Sequence, residues 1–170
     1  MDTIAWNLID KYFKDNPYSL VEHHIDSYND FFKKGIFQIF RENNPFRFIE
    51  RYDTKSLSSE KRNQIFLYLG GKNGNRLYFG KPIIYDENID DNGSIDPHTH
   101  YMYPNDARLR NMNYGMTIHY DIEVEFTYFD EEGKKVEHQI TLEKIYLGKF
   151  PIMLQSDFCI LKGLSREARY

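Results

Sequence analysis

A regular alternation of apolar and polar residues between Tyr114 and Tyr128 constrains the fold of this chain more than any other feature. Every even position in this stretch is apolar or aromatic, and the odd positions from Thr117 to Thr127 are all polar. Side chains of a β-strand point alternately to its two faces, so a period of two indicates a strand. The stretch therefore predicts one long strand with a buried apolar face and an opposite polar face.

The alternation resumes after a turn, which indicates that the chain doubles back beside the long strand. The predicted turn is Asp130–Lys134, and the returning strand carries Val136, His138, Ile140 and Leu142 at alternate positions. The apolar positions then shift to Ile145 and Leu147. A β-bulge near Glu143 or Lys144 would account for this change of phase.

The first forty residues have the periodicity of helices. Apolar residues on one face predict a first helix that begins after Thr3 and ends at Asn16-Pro17. A second helix is predicted from about Leu20 to Arg41, and its apolar face is expected to meet a core. Asn43-Asn44-Pro45 would end it, because the residue before a proline disfavours the helical conformation.

Shorter strands are predicted between the helices and the long strand. They run from Phe46 to Tyr52, from Gln64 to Leu69 and from Arg76 to Tyr85, with a turn at the glycine-rich segment Gly70–Asn75. N-terminal helices packed on a mostly antiparallel β-sheet define an α+β fold. A length of 170 residues suits one domain, so residues 1–170 are predicted to fold as a single unit.

Charge and composition narrow the range of functions. A formal net charge of −4 argues against a protein that holds nucleic acid by itself, because such proteins usually carry a basic patch. The single cysteine, Cys159, excludes an internal disulfide and is predicted to be a small buried hydrophobic residue. No apolar run of membrane-spanning length and no secretion signal is recognisable. We therefore expect an intracellular protein without a membrane segment.

Two short motifs suggest metal sites, but each has a simpler explanation. His98 and His100 would point the same way on a strand, yet a third ligand at a recognisable spacing is missing, so an exposed polar loop is favoured. A calcium loop with Gly93 in its sixth position would place Asn88 and Thr99 where charged ligands are required. The acidic run is better explained as a solvated surface loop. No catalytic or metal-binding residue is predicted.

Three further blocks occur in order along the chain, at Leu20–Phe31, Ala107–Tyr114 and Gly148–Ser156. They resemble the "LVxxxIDSFNxF", "ARLRNLTY" and "GKxPIMLxS" segments of the N-terminal part of the second-largest, beta-like subunit of multisubunit DNA-directed RNA polymerases. The resemblance spans most of the chain. It implies structural roles for the matched residues Ile25, Asp26, Ser27, Asn29, Ala107, Leu109, Tyr114, Gly148, Pro151, Ile152, Met153, Leu154 and Ser156.

The resemblance implies a particular domain, the protrusion, which combines helices and sheet at the rim of the polymerase DNA cleft. The chain would be an N-terminal fragment of a much longer subunit, since a complete second-largest subunit contains several domains. Its contribution to transcription would be to form part of the cleft wall and to support assembly, and it would not be catalytic alone. The alternative is a stand-alone, transcription-associated protein-interaction module derived from a polymerase subunit.

The same resemblance implies partners and a cofactor. The expected partners are the largest polymerase subunit and smaller polymerase subunits, with DNA and RNA contacted only in the assembled complex. This chain is expected to hold no cofactor, and the catalytic magnesium of the assembled enzyme would be held mainly by the largest subunit. The expected location is the nucleus, or the host cytoplasm or virion if the chain is viral.

Three basic residues are candidates for contacts with nucleic acid or with another subunit: Arg108, Arg110 and Lys149. If the segment is an alternating strand, Arg108 and Arg110 share a face. Their guanidinium groups could then meet phosphates or pair with carboxylates such as Asp106. The acidic balance of the chain favours the ion pairs.

The last block and the residues after it lead to two further expectations. Pro151–Leu154 has the composition of a buried strand entered through a proline. The charged tail after about Leu161 is expected to be mobile, and the side of the domain near Phe158 and Cys159 is expected to expose an apolar patch.

Overall fold

The computed structural model describes residues 2–49, 63–89, 95–129 and 132–162. Its N-terminal part is helical, with α1 at Asp2–Asp15, α2 at Glu22–Asp30 and α3 at Ile36–Asn43. A π-helical turn at Phe31–Gly35 joins α2 to α3. The two predicted helices are therefore confirmed, because α2, the turn and α3 together form the second of them. Most of the tail after Leu161 lies outside the described residues.

The first helix is amphipathic, but it adds nothing to the core that the structure describes. Ile4 and Trp6 are each 68% exposed and Leu8 is 66% exposed. The expectation that both N-terminal helices pack on the sheet is thus met only by the second.

The rest of the chain is mainly antiparallel sheet. The elements are β1 Phe46–Ile49, β2 Gln64–Leu69, β3 Leu77–Phe79, β4 Ile83–Ile89, β5 Ile95–Tyr101, α4 Pro104–Leu109, β6 Gly115–Phe129 and β7 Lys135–Pro151. Strand β6 is central: it pairs with β7 along one side and with β2 and β3 along the other, while β1 extends the sheet beyond β2. Strands β4 and β5 form a separate hairpin. The predicted α+β class is confirmed.

The strand predicted from Arg76 to Tyr85 is in fact two strands in different sheets. The break falls between β3 and β4, where Pro82 has no N–H to donate to a ladder. A Cβ at Gly80 would also collide with the hydroxyl of Thr117, which would have to move. The segment from Asp86 to Asp96, predicted as a surface loop, belongs partly to the β4–β5 hairpin, and its residues 90–94 lie outside the described part.

The predicted bulge in the returning strand is confirmed. Tyr120 pairs with Ile145 and Ile122 pairs with Leu142, so Asp121 lies opposite two residues, Glu143 and Lys144. Lys144 has a φ of 53°, in the left-handed region. The extra residue restores the apolar phase beyond the bulge, as the shift in the sequence pattern indicates.

The main core lies between the helices and one end of β6. Phe32 and Ile36 pack against Met116 and Ile118, which are 1% and 0% exposed. Cys159 is buried in the same cluster, as predicted. The expected apolar patch near Phe158 and Cys159 is wrong, because the Phe158 ring packs at 5.5 Å from the ring of Phe32 and fills this core.

The opposite face of β6 differs from the prediction at its middle. Asp121 and Glu123 were expected to be exposed on the polar face, yet each is only 4% exposed. The turn between β2 and β3 supplies partners to Glu123, whereas β3 and the bulge of β7 supply those of Asp121, as described below. A pattern of alternate residues shows which face is polar, but it does not show whether a distant loop folds over that face.

Candidate functional site

The helical block and the last block meet at one end of the sheet. The Tyr28 hydroxyl donates to the carbonyl oxygen of Pro151 at 2.7 Å, and the N–H of Asp157 donates to Oδ1 of Asn29 at 2.9 Å. Asn29 is 9% exposed, so this amide satisfies a backbone group that water cannot readily reach. The contacts join segments more than one hundred residues apart in sequence.

Asp157 is an anchor for this junction. Its carboxylate forms ion pairs with Lys33 in the π-helical turn and with Lys162 beyond the last block. Both lysines are about half exposed, so each pair alone adds little stability. Together with the backbone bond to Asn29, they fix the direction in which the chain leaves β7.

Tyr114, the last residue of the middle block, completes the junction. Its carbonyl oxygen accepts from the N–H of Ile152 at 3.1 Å, and its hydroxyl accepts from the N–H of Ile160 at 3.1 Å. The same hydroxyl donates to Sγ of Cys159 at 3.7 Å. Burial raises the pKa of Tyr114 well above its ordinary value, so this hydroxyl stays protonated and available as a donor. The three blocks thus converge on one site.

Other matched residues lie at the edge of this junction or outside it. Ile25 is half-buried, whereas Asp26 and Ser27 are exposed on α2. Gly148 and Pro151 belong to β7, and Ser156 is fully buried with a hydroxyl that has no hydrogen-bond partner among the described residues.

The predicted buried strand at Pro151–Leu154 is wrong beyond its first residues. Strand β7 ends at Pro151, and only Ile152, at 7% exposure, enters the core. Met153 and Leu154 are 36% and 52% exposed. The chain turns here, with Gln155 at a φ of 68°, so the apolar run does not continue the sheet.

The middle block begins in a helix, α4, and continues as a turn and irregular backbone, so it is not the expected strand. Pro104 occupies the start of α4, and the Asp106 carboxylate accepts from the N–H of Tyr103 at 3.2 Å, which caps the helix. Ala107 is 3% exposed and packs with the β4–β5 hairpin, whereas Leu109 is 73% exposed. The proline and the capping aspartate were visible in the sequence and were the signals that favoured a helix.

The prediction that Arg108 and Arg110 share one face of a strand is therefore wrong. The two residues have different partners. Arg110 donates to both carboxylate oxygens of Asp86, at 2.6 and 3.2 Å. Arg108 donates to Oδ1 of Asn105 at 3.0 Å within α4. The prediction that an ion pair is favoured is confirmed for Arg110. Its partner is Asp86 of the β4–β5 hairpin and not Asp106. Lys149 is exposed on β7, apart from both arginines in the described contacts.

The Arg110–Asp86 pair gives a pH prediction. The hydrogen bonds from Arg110 hold the pKa of Asp86 below its ordinary value. The pair therefore contributes above the unfolded pKa of this carboxyl and is lost as the pH falls through the lower, folded pKa. In Arg110→Gln, NMR titration should show the pKa of Asp86 rising toward its ordinary value. Arg108→Gln is the control, and a similar rise there would contradict the assignment.

A polar network that the sequence did not predict covers the middle of β6. Asp121 accepts from the Tyr78 hydroxyl at 3.0 Å and from the N–H of Lys144 at 2.9 Å. Glu123 pairs with Arg76 at 2.6 Å and accepts from the N–H of Lys72 at 3.3 Å. These two buried carboxylates therefore hold the turn between β2 and β3, and the bulge of β7, against the central strand.

Glu125 extends the network toward solvent. It forms an ion pair with the Lys72 ammonium group and accepts from the Tyr68 hydroxyl at 3.2 Å. The hydrogen bond from Lys72 lowers the pKa of Glu125, while burial, followed by the charge of Glu125, raises the pKa of Tyr68. Every carboxylate of the network thus has protein donors as partners.

This arrangement leaves little capacity for a metal ion. Among the described residues, no group of three histidine, cysteine, aspartate or glutamate side chains has the geometry to hold one. His98 and His100 are exposed on β5, and Nδ1 of His100 lies 3.8 Å from Oδ2 of Asp86. No helix in the described ranges is long and apolar enough to cross a membrane.

The junction of the three blocks gives a stability prediction. In Asn29→Leu the N–H of Asp157 loses its acceptor inside the protein, which should lower the free energy of unfolding by about 1–3 kcal/mol. Urea denaturation would measure the change. The matched control is Asn43→Leu, because the Asn43 amide donates only to an exposed carbonyl of its own helix, that of Ile39. Equal losses in the two variants would show that Asn29 does not hold the junction.

Comparison with known proteins shows which family and which relatives this chain is similar to. The sequence profile of the family described as RNA polymerase beta subunit matches residues 19–168. The chain is 32% identical over 170 residues to the "DNA-directed RNA polymerase subunit Rpo2N" of Methanothermobacter thermautotrophicus, an alignment that covers 98% of this chain and 25% of the relative. The corresponding subunit of Methanocaldococcus jannaschii is 32% identical over 164 residues, which cover 96% of this chain and 27% of the relative.

Eukaryotic proteins are similar over the same length. The "DNA-directed RNA polymerase II subunit RPB2" of Meyerozyma guilliermondii is 30% identical over 180 residues, which cover 98% of this chain and 13% of the relative. The chain thus spans a quarter or less of the first archaeal and this eukaryotic relative. All three converging blocks fall within the matched residues.

Proposed function

The chain belongs to the RNA polymerase beta subunit family, and from that premise we propose that it forms the N-terminal portion of the second-largest subunit of a DNA-directed RNA polymerase. In this role it is a wall and assembly element of the transcription machinery and does not carry the catalytic groups. The observation that supports this most strongly is the convergence of the three blocks on one junction, where Tyr28 bonds to Pro151 and Tyr114 bonds to Ile152.

A structural role agrees with the chemistry of the described residues. The buried acidic groups Asp121 and Glu123 are each held by donors of the same chain, so neither is available as a metal ligand or a base. No carboxylate set in the part of the chain that the structure describes suits the magnesium that polymerisation requires, so we assign that ion to another subunit. Arg110 is likewise occupied by Asp86. Arg108 and Lys149 remain the candidates for contacts with nucleic acid or a partner.

The proposed partners are the largest polymerase subunit and smaller subunits. Contacts with DNA and RNA would occur only in the assembled particle, through positions on the protein surface and without base recognition. Such a particle would work in the nucleus of a eukaryotic cell, or in the host cytoplasm or virion of a virus.

The isolated chain should make no RNA. With a DNA template, magnesium and all four ribonucleotides, the purified chain is expected to give no template-dependent product, because no donor set for the metal is present among the described residues. Complexes recovered through a tag on this chain should give product under the same conditions. RNA product from the pure isolated chain would contradict a structural role. Complexes that lack both activity and other polymerase subunits would favour a stand-alone module.

A further inference from the structure

The turn between β2 and β3 contains an asparagine that is followed by a glycine, Asn73-Gly74. An asparagine in this context can lose its side-chain amide, because the following glycine has no Cβ to keep the two reacting groups apart. Asn73 is exposed, whereas Gly74 is buried. Solvent therefore reaches one partner of the reaction, and the fold of the turn controls the other.

The reaction at such a pair is intramolecular, so the approach of the two groups decides its rate. The backbone nitrogen of Gly74 gives up its proton and bonds to Cγ of Asn73. The side-chain nitrogen leaves with a proton as ammonia, and a five-membered succinimide ring remains. Water then adds to one ring carbonyl group and breaks its bond to the nitrogen. The product is aspartate or, if the main chain now runs through the side chain, isoaspartate.

The folded turn holds the attacking nitrogen away from this reaction. The N–H of Gly74 donates to the carbonyl oxygen of Gly71 at 2.9 Å. The turn is fastened at its two ends, because the N–H of Gly70 donates to the carbonyl oxygen of Asp121 at 2.7 Å and the N–H of Arg76 donates to that of Gly70 at 2.8 Å. The Gly74 N–H must leave its acceptor before it can react, so the turn has to open locally first.

The closed turn has no room for a longer main chain. Gly74 has a φ of 65°, and a Cβ added there would lie 2.9 Å from the backbone nitrogen of Arg41 and 3.2 Å from the carbonyl carbon of Phe40. Isoaspartate at position 73 adds one carbon to the main chain directly before Gly74. The turn cannot accommodate this carbon without moving away from α3.

Such a movement would affect the buried carboxylate of Glu123. The N–H of Lys72, next to the modified residue, donates to Glu123 at 3.3 Å, and Arg76 pairs with Glu123 at 2.6 Å. The Glu123 side chain is only 6% exposed. Without these partners its charge would stay in a place that water barely reaches, which destabilises the domain.

We propose that Asn73 is a deamidation site that the folded turn protects, and that the turn cannot close again once isoaspartate has formed there. Opening frees the Gly74 nitrogen, the reaction lengthens the main chain, and the longer chain no longer fits against α3. The site lies in this chain's own turn and does not depend on the proposed function. The other Asn-Gly pair of the sequence, Asn92-Gly93, lies outside the described residues.

The protection is tested by comparing the folded and the unfolded chain at a mildly alkaline pH. One sample is incubated in buffer and one in guanidinium chloride, and mass spectrometry of peptides measures deamidation at Asn73. A synthetic peptide of residues 70–76 corrects for the effect of the denaturant on the chemistry. Deamidation should be at least about tenfold slower in the folded chain, because the turn is closed most of the time. Equal rates, or no reaction at Asn73 in the unfolded chain, would overturn the proposal.

The consequence is tested with isoaspartate placed at position 73 by chemical synthesis of the chain. The matched control is Asn73→Asp, which carries the same charge on a normal main chain at an exposed position. The isoaspartate chain should melt at least about 3 °C below this control. Trypsin should also cut it faster after Arg76, at the end of the released turn. Equal melting temperatures or equal rates of cleavage would show that the longer chain fits the closed turn, and either result would overturn the proposal.

Discussion

Replacing Glu123 with lysine is expected to unfold the domain or to lower its free energy of unfolding by about 3–5 kcal/mol. The Glu123 side chain is 6% exposed and pairs with Arg76 at 2.6 Å. A lysine at this position would place a positive charge where water barely reaches and beside the guanidinium of Arg76, whose own side chain is half exposed. It would also remove the acceptor for the N–H of Lys72. Urea denaturation followed by circular dichroism would measure the loss.

A second charge reversal provides the control for this result. Glu137 lies on the same sheet, but its side chain is 66% exposed and pairs only with the exposed Lys135. Glu137→Lys should change the free energy of unfolding by less than about 1 kcal/mol. If Glu123→Lys proved equally mild, the turn between β2 and β3 would not cover this face in solution.

Truncation of the apolar face should cost much more stability at the half under the helices than at the exposed half. Ile118→Ala removes a fully buried side chain from the core under the helices and should cost about 2–5 kcal/mol. Ile140→Ala removes a side chain of the same type that is 48% exposed, and it should cost less than about 1 kcal/mol in the isolated chain. Thermal and urea unfolding of both variants would give the comparison. Equal and large costs for Ile118→Ala and Ile140→Ala in the isolated chain would show that the chain covers both halves of the apolar face by itself.

The sequence predicted those parts of the fold that depend on local periodicity. The alternation around Ile118 identified the long central strand, and the change of phase before Ile145 located the bulge at Glu143 and Lys144. These features are local because side-chain direction in a strand depends only on the parity of the position. The α+β class follows from the order of such elements.

The errors arose where distant segments or capping groups decide the structure. The burial of Asp121 depends on Tyr78, which the turn before β3 brings over the strand, and periodicity carries no information about that contact. The helix α4 was missed because the matched block suggested a strand entry, although Pro104 and Asp106 favour a helix start.

The sequence predicted some of the residues of the candidate site but not how they are arranged in space. Resemblance to a family selected Asn29 and Tyr114, and the structure brings both to the same junction. The resemblance could not show that Asp157 and Lys33 hold that junction together, because neither is one of the matched residues. Nor could it show that Arg110 is already neutralised by Asp86. Partners in space are specified by the whole fold and not by one block.

The subunit composition of the particle that contains this chain is the most direct test of its role in an RNA polymerase. The chain would be tagged in the cells that express it, purified under native conditions and analysed by native mass spectrometry. We predict one copy of the largest polymerase subunit for each copy of this chain, with smaller subunits in the same particle. Recovery of the chain alone, or only with proteins that are not polymerase subunits, would contradict its assignment to the enzyme.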